Sequence, residues 1–100
     1  MTTAQFSFAA DVWRHDGAAA WYFVSLPEAT ADDIDERFGH RAAGFGSVRV
    51  EVTIGATSWL TSIFPDTKRG TYVLPVKKAV RVAEHLADGS TAQVVLVVVQ

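Results

Sequence analysis

The chain has no cysteine. That excludes disulfides, thiolate catalysis, Fe–S clusters and cysteine-ligated zinc together. It also suits a reducing compartment, and a cytoplasmic location is expected. Long apolar runs are missing too: the longest, Val94 to Val99, has the length of a strand, against the roughly 20 residues of a membrane helix. Met1 to Phe8 carries no Lys or Arg and no extended apolar stretch, so no secretory leader is expected. Neither sign of charge dominates. The first fifty residues hold four Lys/Arg against seven Asp/Glu, the second fifty five against four, for a net charge of -2. Neither half has the basic excess of a typical nucleic-acid binder. Leucine is scarce at five residues, against 14 Val, 3 Ile and nine Thr. Side chains branched at Cβ fit a pleated surface better than a helix. The balance predicts a small, mainly β domain, and 100 residues make one domain that buries roughly two-thirds of its unfolded surface.

Local patterns divide this total. In Gln5 to Trp13, Phe6, Phe8, Ala10 and Val12 alternate with Ser7, Ala9, Asp11 and Trp13, which predicts a strand with its Phe side inward. Asp16-Gly17 marks a turn, and Ala19 to Leu26 returns as the second strand of an antiparallel hairpin. Pro27 ends that strand. Thr30 with Asp33 three residues on is a variant capping box, predicting a short helix from Ala31 to Phe38 with Ile34 and Phe38 inward and Gly39 as its stop. Asp32, Asp33 and Asp35 then lie near the positive helix end, where capping and solvation account for them better than metal or acid–base chemistry. His40 to Gly46 is a loop. Val48, Val50, Val52 and Ile54 alternate with Arg49, Glu51 and Thr53 in the clearest half-buried strand. Gly55-Ala56-Thr57 turns the chain into a strand from Trp59 to Phe64, stopped by Pro65; a polar turn, Asp66 to Gly70, leads to a short strand from Thr71 to Leu74.

Val76, Ala79, Val80, Ala83, Leu86 and Ala87 recur at helical spacing and predict a second helix from Val76 to Asp88, with Pro75 at its first position and Gly89 at its end. The final strand, Ala92 to Val99, is apolar on both faces and must be covered on both. Six strands and two short helices joined by tight turns predict one antiparallel β-barrel over residues 1–100. A closed barrel has no exposed edge. A half-open one is completed by a second copy through the last strand or another sheet edge.

Three stretches in order carry a family resemblance: Trp21-Tyr22-Phe23-Val24-Ser25-Leu26-Pro27; Val48-Arg49-Val50 through Ile54-Gly55 and Trp59-Leu60-Thr61-Ser62; and Tyr72-Val73-Leu74-Pro75-Val76-Lys77-Lys78-Ala79-Val80-Arg81. Together they resemble the bacterial family catalogued as domain of unknown function nineteen-oh-five, from about Phe6 to Val99. The resemblance implies a small β-barrel and no reaction. Members are often followed by a YdeI/OmpD-associated segment linked to bacteriocin protection; nothing up to Gln100 carries it, so no role borrowed from that segment is expected here. Where the family often has Gly-Asp before the last strand, this chain has Gly89-Ser90.

Candidate chemistry is sparse. His15, His40 and His85 match no metal spacing, and no Glu-x-x-His pair occurs. There is no Gly-x-Ser-x-Gly elbow, and Gly44-Phe45-Gly46 is too short for a phosphate loop. No cofactor or metal is expected. One feature departs from a purely structural pattern. Lys77, Lys78 and Arg81 occupy the first two turns of the second helix, with Glu84 and Asp88 near its end. The macrodipole favours the reverse by roughly 0.3–1 kcal/mol per charge. Leu74 is also a poor N-cap. Free N–H donors and three cations point to a site for a small anionic ligand or an anionic protein, with Trp59 or Tyr72 on its apolar side. The alternative reading is a solvated basic face whose Lys stems cover the barrel. A second hypothesis is a nucleic-acid-binding barrel using Trp13, Trp21, Tyr22 and Trp59 with Arg49, Lys68, Arg69 and Lys78, which the net charge opposes. An enzyme ranks third, because no titratable groups converge in the sequence.

Overall fold

The structure, a computed structural model, describes residues 4–17, 19–39 and 46–99. Its elements are β1 (Gln5–His15), β2 (Trp21–Ser25), α1 (Glu28–Phe38), β3 (Val48–Ile54), β4 (Thr57–Asp66), β5 (Thr71–Pro75), α2 (Lys78–Ala83) and β6 (Thr91–Val98). The six strands close into a barrel in the order β1-β2-β5-β4-β3-β6, every neighbouring pair antiparallel. Alternation explains the interior. Val48, Val50, Val52 and Ile54 of β3 are buried with Val94 and Leu96 of β6, Val12, Val24, Ile63 and Leu74.

Closure settles the choice between closed and half-open forms. β6 lies between β1 and β3 and is paired along both edges, so the route to a dimer through the last strand is taken up inside one chain. The expectation of a cover on both faces of β6 is corrected. Its outward Val95 and Val97 remain half-buried, flanked by Ser7 and Thr53 and by Gln5 and Glu51 on the adjacent strands. No further layer encloses them among the described residues. Two strands make the corners by passing from one pairing to another, as in orthogonally packed barrels. β1 pairs with β6 over Gln5–Asp11 and with β2 over Val12–His15, while β4 pairs with β3 over Thr57–Ile63 and with β5 over Phe64–Asp66.

β4 runs through Pro65 instead of stopping before it. Ile54 and Thr57 flank a two-residue turn whose first residue, Gly55, has φ 60. Such a turn is closed by a hydrogen-bonded pair. Alternation then aims the backbone groups of Trp59, Thr61 and Ile63 at β3 and those of Ser58, Leu60, Ser62 and Phe64 the other way. Pro65 belongs to the first series, but the β3 ladder ends at Ile63, so its missing N–H costs no ladder bond.

Both helices differ from their expected spans. α1 starts at Glu28, with Pro27 at its N-cap and no side-chain cap; Thr30 is a helical residue. Leu26 donates its N–H to the Tyr72 carbonyl, and Ala31 donates to the Pro27 carbonyl. The chain thus enters the helix directly from its last strand contact, burying Leu26, Ala31 and Ile34. Asp32, Asp33 and Asp35 consequently lie beyond the first turn. Asp33 pairs with Arg37 at 3.7 Å. Gly39 is right-handed with φ -58, and what it avoids is a Cβ against the Asp35 carboxylate.

α2 is six residues, Lys78–Ala83, not Val76–Asp88. Pro75 still belongs to β5, opposite Phe23, and the Val76 N–H donates to the Tyr22 carbonyl, so extended pairing delays the helix to Lys78. Val80 is buried, but Ala79, Ala83 and Ala87 are exposed. At its end His85 takes φ 55, donating its N–H to the Val82 carbonyl, while Leu86 donates to the Arg81 carbonyl. These are the two bonds of a Schellman cap. Gly89 serves a later turn, closed by Ser90 N–H to the Ala87 carbonyl. From the strands they join, α1 and α2 lie at opposite ends of the barrel. No helix among the described residues is long and apolar enough to cross a membrane.

Candidate functional site

The corner in β4 creates the site. β4 and β5 pair only from Phe64 to Asp66, and before Phe64 they separate. The opening is a cleft of about 330 Å³ between β4 and the β5–α2 segment. Trp59 reaches it from the inner face of β4, opposite Val52. Leu60 and Phe64 reach it from the outer face, and Trp21 and Pro75 line the far wall. Trp21, Leu60 and Phe64 are 54%, 57% and 41% exposed, three of the five large apolar side chains left exposed among the described residues. Their concentration in one cleft is the kind of apolar surface that marks a binding site. Lys77, exposed, is the one cation in the lining, which contains no carboxylate.

The structure separates the five residues singled out in the sequence. Lys77 and Trp59 meet in the cleft. Lys78 is exposed on the next residue, at the start of α2. Arg81 turns back: its Nε donates to the Val76 carbonyl at 3.2 Å and its guanidinium lies 3.8 Å from the Tyr22 ring centroid. Tyr72 is buried and lines a different cleft of about 240 Å³ with Asp32, Asp35 and Asp66. Its hydroxyl donates to Asp35 Oδ1 at 3.4 Å. Burial, and then the neighbouring Asp35 charge and hydrogen bond, push the Tyr72 phenol above its ordinary value. Glu84 ties α2 to β4, accepting from the Thr57 hydroxyl at 2.6 Å.

The other aromatic and titratable candidates are spread over the barrel. Trp13 donates its Nε1–H to Ser25 Oγ at 2.9 Å and carries the Arg69 guanidinium 3.7 Å from its ring centroid. Phe23 lies 5.0 Å from Trp13 and 6.2 Å from Trp21, the latter nearly parallel at 16°. His15 sits edge-on to Phe23, and His85 is exposed on the α2 cap. His40 and the Gly44-Phe45 pair lie outside the described residues. No group of His, Asp and Glu suited to a metal ion occurs among the described residues. Sequence reasoning missed Leu60, Phe64 and Pro75 as site residues. A signal existed: Leu60 and Phe64 share the solvent-side parity of Ser58 and Ser62, where a large apolar side chain has no structural reason to be.

A family model described as a domain of unknown function (DUF1905) matches residues 8–96, nearly the whole chain. No curated protein matches the sequence.

Proposed function

This chain belongs to the family described as domain of unknown function (DUF1905), and within it we propose that the chain is a non-catalytic binding module whose site is the cleft between β4 and β5. The observation that carries this reading is the meeting of an exposed aromatic wall with a single cation, Lys77, in a cleft without carboxylates. Its ligand has an apolar or aromatic body and one anionic group. Lys77 takes the anion, with Lys78 beside it, and Trp59 and Trp21 take the apolar body. The role first considered for the helix dipole is small, because α2 has six residues. Arg81 acts here as a positioning residue through the Val76 carbonyl. Tyr72 stands apart at the α1 end. A reducing cytoplasm suits a module without cysteine.

Nucleic acid has less support. Of the proposed stacking residues, Trp13 and Tyr22 already carry Arg69 and Arg81 on their rings, and the net charge is -2. Indole-3-acetate is the simplest probe of the cleft. Titration into the full chain, followed by indole N–H shifts in NMR spectra, is expected to saturate and to move the Trp59 and Trp21 signals. Lys77→Ala and Trp59→Ala should each weaken it at least fivefold. An absence of saturable shifts at either tryptophan would overturn the reading.

A further inference from the structure

The cleft offers more than apolar side chains: its β4 wall is a strand edge that, among the described residues, has no backbone partner. By the alternation set at the Gly55-Ala56 turn, the N–H and C=O groups of Ser58, Leu60 and Ser62 face away from β3. The next members of the series, Phe64 and Asp66, pair with Val73 and Thr71 of β5. No backbone hydrogen bond reaches Ser58, Leu60 or Ser62 from β5 or α2 among the described residues. At the other corner strand, β1, the first half lies beside α1, whose Arg37 guanidinium is 5.8 Å from the Phe6 ring centroid. Only the β4 edge borders the cleft.

A row of backbone donors and acceptors is matched by another extended backbone, which adds to the sheet as a further strand. Small-molecule anions leave that row unanswered. The space also limits the occupant. The unpaired edge ends where β4 and β5 pair at Phe64 and Val73, and about 330 Å³ is near the lower bound of ligand pockets. It takes the end of a chain, not a strand running through. Continuing the β4–β5 register past Phe64 and Val73 places Lys77 across from Leu60, at the middle of the unpaired edge. A chain end carries one carboxylate, and the cleft carries one cation.

We propose that the cleft between β4 and β5 captures the free C-terminus of an extended peptide, its main chain pairing with Ser58, Leu60 and Ser62, its last apolar side chain against Trp59, and its terminal carboxylate on Lys77. This deepens the binding function proposed above and rests on it. The test probes the full chain with a synthetic array of tetrapeptides bearing free C-terminal carboxylates and randomised at the last three positions, beside the same array as C-terminal amides. The tightest binder is then titrated by NMR with its C-terminal amide and its N-methylated form. Amidation and N-methylation are each expected to weaken binding at least tenfold. Lys77→Ala should erase the preference for carboxylate over amide. Ser62→Pro removes an N–H of the β4 edge that points away from β3 and should abolish binding; if that variant does not fold, the N-methylated peptide tests the same bond. Equal binding of carboxylate, amide and N-methylated peptides overturns the proposal. So does an array without a carboxylate-dependent binder. If indole-3-acetate still saturates in that case, the cleft remains a ligand site and only the peptide assignment falls; if neither binds, both fall.

Discussion

Tyr72 shows how one residue registers its surroundings. Its phenol is pushed above the ordinary value of 10.0, by burial first and then by Asp35. Both causes oppose the phenolate, so the folded chain holds this proton more tightly than the unfolded chain does. Stability from this residue is therefore fully present below pH ~10 and is lost as the pH rises through the folded value. Tyr72→Phe is expected to lose less stability than the parent as the pH rises above about 10, measured as urea midpoints. Near neutral pH the substitution should cost no more than about 1 kcal/mol, because the hydrogen bond to Asp35 is long at 3.4 Å. A steeper alkaline loss in the variant would contradict the sign. Neither partner was legible as a pair in the sequence, since 37 positions separate them. The same holds for Arg69 on Trp13 and Arg81 on Tyr22, where cations considered in the sequence for nucleic acid and for an anion lie on ring faces.

At the scale of elements, α2 records a contest between pattern and pairing. The spacing of Val76, Val80 and Leu86 is helical, but Val76 is still bonded to β2 and Leu86 already lies past the cap. Alanine tolerates either face, so Ala79, Ala83 and Ala87 completed a stripe that the fold leaves exposed. The cap itself is the strained point. His85 holds φ 55 where glycine has no Cβ penalty. His85→Gly is expected to raise the stability by about 1 kcal/mol in urea unfolding, and His85→Val to lower it by at least as much. Equal midpoints for the two variants would show that the left-handed residue stores no strain. Ser90 plays its part in the next turn by accepting the Ala87 N–H at 2.9 Å.

For the whole molecule, the decisive property is which edges are paired. Val95 lies between two ladders, opposite Ser7 and Thr53, and by the strand alternation its N–H is bonded to Thr53 of β3. Ser62 lies opposite Arg49 on one side and, among the described residues, has no ladder partner on the other, where its N–H points away from β3. Proline lacks the N–H and is tolerated at edges but not inside a sheet. Val95→Pro is therefore expected to cost about 3 kcal/mol or more, and Ser62→Pro no more than about 1 kcal/mol. Circular dichroism and urea unfolding of the two variants compare them directly. A comparable loss in both would mean that the β4 edge is paired in solution.

The alternation of Val48 to Ile54, the two-residue turn at Gly55, the hairpin of β1 and β2 and the existence of two helices are written in the sequence, because side-chain period and turn chemistry act over a few residues. The residues that resemble the family are equally local, as is the β content foreshadowed by the scarcity of leucine beside valine. Closure is not local. Which strands meet, where β1 and β4 change partners, and how far β5 accompanies β4 depend on the tilt and stagger of all six strands together. The cleft is a product of that arrangement. Lys77 and Trp59 were legible as residue types with chemistry to offer, but only the corner in β4 brought them together, and only there did Leu60 and Phe64 acquire a reason to face outward.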